Sequence, residues 1–329
     1  MPVAPAPLTP PERRSRRRRR ATISGLVVGA ALLASVPVAQ ACVDVGVYQD
    51  NPTRTMPALK RAVGPGVSTV SLYVTAGKTI DKATVAFIRR NKLRVIVTWL
   101  PDNGSNGTNK PKFRLSRIAK GTLDKGLRPL ARQLAGLKTQ VLFRPMPEPN
   151  TPWYSWSGTV NGNKPGDYKK AWSRVRLVVQ KAAGKAGAKR IKFLWTPYAR
   201  SVPDTPANAL TAYFPGDKNV DQVGVSAYNF GQTPTLAWSD PGLLFGDAYA
   251  AVQAVAPKKP FWIAETGSTA KGGDKAAWIS QLAGLQAAMP ALRGIVWYDV
   301  SEPTGDFRVR PDPQVIASFR KLLAGRCKK

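Results

Sequence analysis

Histidine is absent from this chain of 329 residues. Without it no Ser-His-Asp arrangement can form, and the commonest side-chain ligand for transition metals is missing. Cysteine is nearly absent as well, with Cys42 and Cys327 alone, too few for a thiolate metal cluster or a scaffold built on disulfides. Acids are scarce: 19 Asp and Glu stand against 50 Lys and Arg, a formal net charge of +31. No Gly-x-Gly-x-x-Gly follows the first apolar run, which leaves little support for a nucleotide-binding doubly wound sheet, the structural alternative weighed below. Neither a metal nor an organic cofactor is expected.

With acids so few, their placement is informative. Glu148 ends the run Val141-Leu142-Phe143-Arg144-Pro145-Met146-Pro147-Glu148, and Glu265 ends Phe261-Trp262-Ile263-Ala264-Glu265. Each follows a strand-like apolar stretch and precedes a loop marked by Pro or Gly. A carboxyl there projects from the C-terminal edge of a strand, the edge on which barrel enzymes assemble their sites. Two such carboxyls are the minimum for cleaving a glycosidic bond, one as proton donor and one as nucleophile or base. The chain also carries nine tryptophans, more than a core usually takes, and aromatic grooves suit the C–H faces of sugars. Trp153 and Trp156 lie in a polar loop and read as sugar contacts. Arg144 reads as a partner for a carboxylate at the base of the site.

The first 41 residues read as a segment separate from the fold. Arg13, Arg14 and Arg16 to Arg20 form a basic region, residues 21–38 are uncharged and mostly apolar, and Ala39-Gln40-Ala41 is a small-x-small cleavage signal. Cleavage after Ala41 and secretion is the preferred reading; an uncleaved anchor and a lipidated Cys42 rank behind it. In an oxidising compartment Cys42 and Cys327 are expected to pair, tying the two ends of the domain together. Seven of the arginines and one acid, Glu12, fall in the leader, so residues 42–329 still carry +25, from 43 basic and 18 acidic residues. Such a surface suits an anionic cell-wall polymer or an acidic polysaccharide, and reads equally as a solvated basic surface with no dedicated partner. Its cations are scattered rather than gathered on one reading helix, which argues against specific nucleic-acid recognition. A monomer is expected.

From residue 42 onward eight short apolar or β-branched runs, at 43–48, 69–75, 94–100, 140–145, 192–197, 222–228, 260–265 and 294–300, alternate with longer stretches. Most are apolar throughout, as parallel strands covered on both faces require. Helices are expected at 81–91, 126–137, 167–183, 243–255, 275–288 and 313–323, and long loops at 102–112 and 151–166. The pattern predicts an α/β fold, a single (β/α)8 TIM barrel spanning 42–329.

Arg144-Pro145-Met146-Pro147-Glu148-Pro149-Asn150, followed by Trp153, Tyr154 and Trp156, resembles the fourth-strand motif Arg-Pro-x-His-Glu-x-Asn of glycoside hydrolase family 26. Val97-Thr98-Trp99, Phe193-Leu194-Trp195-Thr196-Pro197, the stretch from Val220 to Asn229, Ile263-Ala264-Glu265-Thr266-Gly267-Ser268 and Trp297-Tyr298-Asp299 resemble further pieces of that family in the same order. The similarity covers most of residues 43–323. It implies a retaining glycosidase of clan A, chiefly of the β-mannanase kind, with polysaccharide as substrate. By position Glu148 would be the acid/base and Glu265 the nucleophile, kept ionised by a hydroxyl such as that of Tyr228; Asn150 would be a substrate contact and Trp297 the floor beneath the sugar. One departure stands out: Pro147 occupies the position of the motif's histidine, and proline cannot donate a hydrogen bond. The resemblance therefore implies a secreted endo-β-glycanase acting on β-mannan. The alternative is a secreted barrel that binds carbohydrate or cell wall with little or no turnover.

Overall fold

Eight parallel strands close into a barrel in chain order, each hydrogen-bonded to the next and the last to the first. The computed structural model describes residues 42–105 and 107–325; the expected leader and Cys327 lie outside the described residues. The strands are β1 (Asp44–Tyr48), β2 (Thr69–Thr75), β3 (Arg94–Leu100), β4 (Val141–Pro145), β5 (Ile191–Trp195), β6 (Gln222–Asn229), β7 (Phe261–Ser268) and β8 (Leu292–Tyr298). All eight fall where the apolar runs place them, within three residues at either end. The (β/α)8 fold expected from the alternation is the fold observed.

Side chains alternate across each strand, so one set faces the barrel axis and the other faces the helices. Near the base of the barrel the axis is filled by Ile96, Leu142, Leu194, Trp262, Ala264 and Val296. Trp262 fits only because its neighbours on the flanking strands are glycines. A Cβ on Gly294 would come within 2.1 Å of the indole, and one on Gly224 within 2.3 Å of the Trp262 carbonyl oxygen. The outward set packs against the helix layer in a single large core.

That layer comprises α1 (Pro52–Val63), α2 (Lys82–Arg90), α3 (Leu115–Ala119), α4 (Asp124–Gly136), α5 (Pro165–Arg190), α6 (Pro241–Val255), α7 (Lys275–Ala288) and α8 (Pro313–Ala324). The carboxylates of Asp81, Asp240, Asp274 and Asp312 cap α2, α6, α7 and α8 by accepting from backbone N–H groups of the first turn. Helices α1 and α3, neither of them anticipated, and the extent of α5 depart from the sequence expectation. Helix α1 was not anticipated, because Pro52 and Pro57 mask the spacing of Met56, Leu59 and Val63 that buries its inner face. Helix α5 continues past residue 183, breaking at Gly184 (φ 67°) and resuming to Arg190. Among the described residues the fifth unit has no α-helix; Pro206–Asn208, Leu210–Tyr213 and Asp217–Asn219 form 3-10 turns instead.

Candidate active site

The mouth of the barrel is organised around Arg144. It projects from β4 toward the axis and is 1% exposed. A guanidinium has five N–H donors, and here five oxygens surround them. Nε donates to Thr196 Oγ1 at 2.7 Å, Nη1 to Glu265 Oε2 at 2.5 Å and to Thr98 Oγ1 at 3.4 Å, and Nη2 to Ser226 Oγ at 3.0 Å. Glu148 Oε1 lies 3.6 Å from Nη2. One buried cation thus joins the two glutamates singled out from the sequence. Burial alone would lower its pKa, but Glu265, Tyr73 and Glu148 outweigh that and hold the guanidinium more firmly protonated than usual.

Glu265 reaches the axis through an irregularity in β7. On the β6 side Val225 pairs with Ile263 and Ser226 with Glu265, leaving Ala264 as an extra, unpaired residue. Such a bulge re-aims the side chains that follow it, and both Ala264 and Glu265 face inward. Besides Arg144, the carboxylate accepts from the Tyr73 and Tyr228 hydroxyls, one on each oxygen. Burial pushes both phenols well above their ordinary pKa, with the charge of Glu265 adding to the shift. They therefore stay protonated as donors to the carboxylate.

Glu148 sits in a backbone of unusual shape. Met146 (φ 51°) and Glu148 (φ 54°) are both left-handed, on either side of Pro147. Non-glycine residues take that conformation only when their surroundings impose it, and the surroundings are visible. Met146 N–H donates to Trp99 O at 3.0 Å and Glu148 N–H to Thr196 O at 2.8 Å. The Met146 carbonyl accepts from the Tyr168 hydroxyl at 3.0 Å and the Pro147 carbonyl from Trp156 Nε1 at 2.8 Å. The side chain is 5% exposed and accepts from Trp153 Nε1 at 2.8 Å and Ser226 Oγ at 2.6 Å. Burial first, then repulsion from Glu265, raises its pKa against the opposing pull of Arg144, Ser226 and Trp153. The two carboxyls therefore differ in kind. Glu148 is pushed toward the protonated form, whereas Glu265 is held by a cation and two hydroxyls.

Aromatic side chains line the mouth on both sides. Trp153 meets Tyr198 edge to face at 5.2 Å beside Glu148, and both are half-buried. Across the mouth Tyr48 stacks on Tyr298 at 5.0 Å, and Tyr73, Tyr228, Phe230 and Phe307 pack around them. Of the expected site residues, the structure brings Glu148, Glu265, Arg144, Tyr228 and Trp153 together. Three others are placed elsewhere.

Trp297 is fully buried and faces outward, against Trp278 of α7 and Phe319 of α8, with its N–H on the Phe307 carbonyl. Alternation along β8 turns Val296 and Tyr298 inward, so the inward aromatic is one residue on from the expected floor. Trp156 is also fully buried, stacked under Tyr154, and supports the Glu148 loop from beneath. Asn150 is buried too. Its amide donates to Tyr198 O and Ser201 Oγ and accepts from Tyr198 N–H, tying the loop after β4 to the one after β5.

Conversely, Tyr73, Thr98, Thr196, Ser226 and Tyr198 were missed. Tyr73 and Ser226 carried a signal, because each falls in a run of polar or small residues at alternate positions, Thr69, Ser71, Tyr73 and Thr75 in β2 and Gln222, Gly224, Ser226 and Tyr228 in β6.

Comparison with known proteins agrees with this geometry. The model of glycosyl hydrolase family 26 matches residues 113–258, a stretch that includes Arg144 and Glu148 and stops short of Glu265. Endoglucanase H of Acetivibrio thermocellus is 26% identical over 236 residues, 70% of this chain and 24% of that protein. The mannan endo-1,4-beta-mannosidase of Bacillus subtilis is 29% identical over 187 residues, 54% of this chain and 46% of that one. The chain thus spans about a quarter of the first relative and under half of the second. In fold it is similar to the catalytic domain of the family 26 endo-beta-1,4-mannanase of Bacillus sp. JAMB-750, with a TM-score of 0.63, 16% identity and 86% of each chain covered. The fourth-strand motif, the closed barrel and these relatives agree in likening the chain to glycosyl hydrolase family 26, whose model matches it over residues 113–258.

Proposed function

We propose that this protein is a secreted, monomeric endo-β-glycanase that hydrolyses β-mannan with retention of anomeric configuration. The observation that carries the reading is the single guanidinium of Arg144 joining two buried glutamates, one with its pKa raised by burial and the other held by two tyrosine hydroxyls. Glu265, ionised and aimed inward, attacks the anomeric carbon; Glu148 gives its proton to the departing oxygen. A glycosyl ester on Glu265 results, and Glu148, now a carboxylate, takes a proton from the water that hydrolyses it. Retention requires carboxyls about 5–5.5 Å apart. Trp153 and Tyr198 flank Glu148, so the leaving-group sugar stacks there. The name of the second relative, a mannan endo-1,4-beta-mannosidase, supports a β-1,4-linked mannan as substrate. Export would remove residues 1–41 and let Cys42 pair with Cys327.

A second reading, a barrel that binds carbohydrate without efficient turnover, is favoured by Pro147, which supplies no donor beside Glu148. One experiment separates the two. Purified protein is offered mannan, mixed-linkage β-glucan, xylan and cell-wall polymer, and reducing ends are measured for wild type, Glu148→Gln and Glu265→Gln. The enzyme reading expects release from mannan that falls by about 10²–10⁴-fold or more in each variant. It also expects the first-formed product to keep the β configuration by NMR. No release from any polymer despite binding would leave the second reading standing, and wild-type rates in both variants would remove the glutamates from the chemistry.

A further inference from the structure

A second concave site lies on the outside of the barrel, between α4 and α5, with a volume of about 310 Å³. Its walls carry Arg128 and Arg132 from α4 and Arg174 and Lys181 from α5, with Asp124 as the one acid; Leu177 and Val178 form an apolar floor. The spacing makes two stripes that face each other. Arg128 and Arg132 are four residues apart, and Arg174, Leu177 and Lys181 follow at three and four, so each set shares one helix face.

Like charges four apart on a helix are mildly destabilising, so this arrangement gains nothing as a fold device. Arg174 is fixed in place: Asp124 Oδ2 accepts from its Nη2 at 2.5 Å and Oδ1 from its Nε at 3.3 Å. It also lies against Gly121, where a Cβ would sit 2.7 Å from the same Nη2. Asp124 is 3.7 Å from Arg128 as well. Among the described residues no carboxylate lies within ion-pair distance of Arg132 or Lys181. Leu177, 42% exposed, is one of two large apolar side chains left open to water among the described residues. The stripes continue in exposed Lys125 on α4 and Lys170 on α5.

Cationic walls over an apolar floor select a ligand with both characters. A bare anion would not use Leu177 and Val178, and a nucleic-acid strand would use stacking rings, of which the pocket has none. A pyranose bearing an acidic group fits: its C–H face lies on the floor, and the acid sits between Arg132 and Lys181. We propose that the α4–α5 pocket is a second carbohydrate site that binds an acidic sugar residue, carboxylate- or phosphate-bearing, within a polysaccharide chain. It holds the protein on an acidic matrix while the barrel mouth remains free, and it stands whether or not the mouth is an active site.

The test compares Arg132→Glu/Lys181→Glu with Lys258→Glu/Lys321→Glu, an equal charge change at exposed positions elsewhere. Binding is read by affinity electrophoresis and titration against polygalacturonate, a phosphomannan, neutral mannan and duplex DNA. Salt is set at roughly 0.15 M, where exposed charges beyond about 8 Å are screened. The proposal expects the wild type to bind at least one acidic polysaccharide. The pocket variant should then lose about tenfold or more in affinity, and the control variant about twofold or less. Which polymer binds distinguishes carboxylate from phosphate. Binding of neither, equal losses in both variants, or DNA bound more tightly than both polysaccharides with the same dependence on Arg132 and Lys181 would overturn it. Circular dichroism and neutral-mannan binding, both expected to be unchanged, exclude misfolding as the cause of a loss.

Discussion

Glu148 lies where burial and the charge of Glu265 push its pKa up while Trp153 and Ser226 pull it down by donating to its ionised form. A proton donor works only while protonated, so activity is lost as pH rises through its pKa, and the alkaline limb of kcat/KM reports that value. Trp153→Phe keeps the ring and removes one donor to the carboxylate, raising the pKa further. The alkaline limb should therefore move to higher pH in Trp153→Phe. A pH–rate profile that stays put or moves down would take Glu148 out of the acid role. The same shift has a stability consequence. A carboxyl whose pKa is raised by folding binds its proton more tightly in the folded state. Its favourable contribution is full below the unfolded pKa and is lost as pH rises through the folded one. Glu148→Gln removes that loss. The variant should melt above wild type at neutral pH, with the gap closing in acid; a gap that widens in acid would contradict the direction of the shift.

At the scale of elements, the glycines around Trp262 make a sharp prediction. Gly294 leaves no room for a methyl group, because its Cβ would overlap the indole at 2.1 Å and the barrel axis has no slack there. Gly294→Ala should cost about 1–3 kcal/mol by overpacking, read as a lower melting temperature, with Trp262→Leu in the same chain restoring part of it. An unchanged melting temperature in the single variant would mean that the axis is not packed as described. The eight strands were legible because parallel strands buried on both faces leave continuous apolar runs. Helix α1 was hidden by two prolines, and the fifth unit resisted assignment because its prolines break any helical period. In the site, Glu148, Glu265, Arg144 and Tyr228 could be read from residue type and strand position. Trp297 could not, because its placement depends on a one-residue choice of strand face. An apolar run carries no mark of which face is which. The bulge at Ala264 left no trace either, since nothing in Ile263-Ala264-Glu265 distinguishes a bulged strand from a regular one.

At the scale of the molecule, a barrel closes on itself at the seam between its first and last units. Here β1 pairs with β8 along its whole length, from Asp44 opposite Gly294 to Tyr48 opposite Tyr298. Outside that seam, Arg320 of α8 donates from Nε and Nη2 to the carbonyl of Ala62 in α1, at 2.9 and 2.6 Å. Cys42 stands two residues before β1, and Cys327 follows α8 by three positions, so a covalent link between them would close the same seam. Constraining a loop that includes nearly the whole domain stabilises the folded state by on the order of 4–5 kcal/mol in the chain-entropy picture. Cys42→Ser should therefore lower the melting temperature of protein prepared under oxidising conditions. Reductant should bring wild type down to the variant's value while leaving the variant unmoved. Two free thiols per wild-type chain by mass labelling without reductant, together with identical melting curves, would show that the seam holds by packing and hydrogen bonds alone.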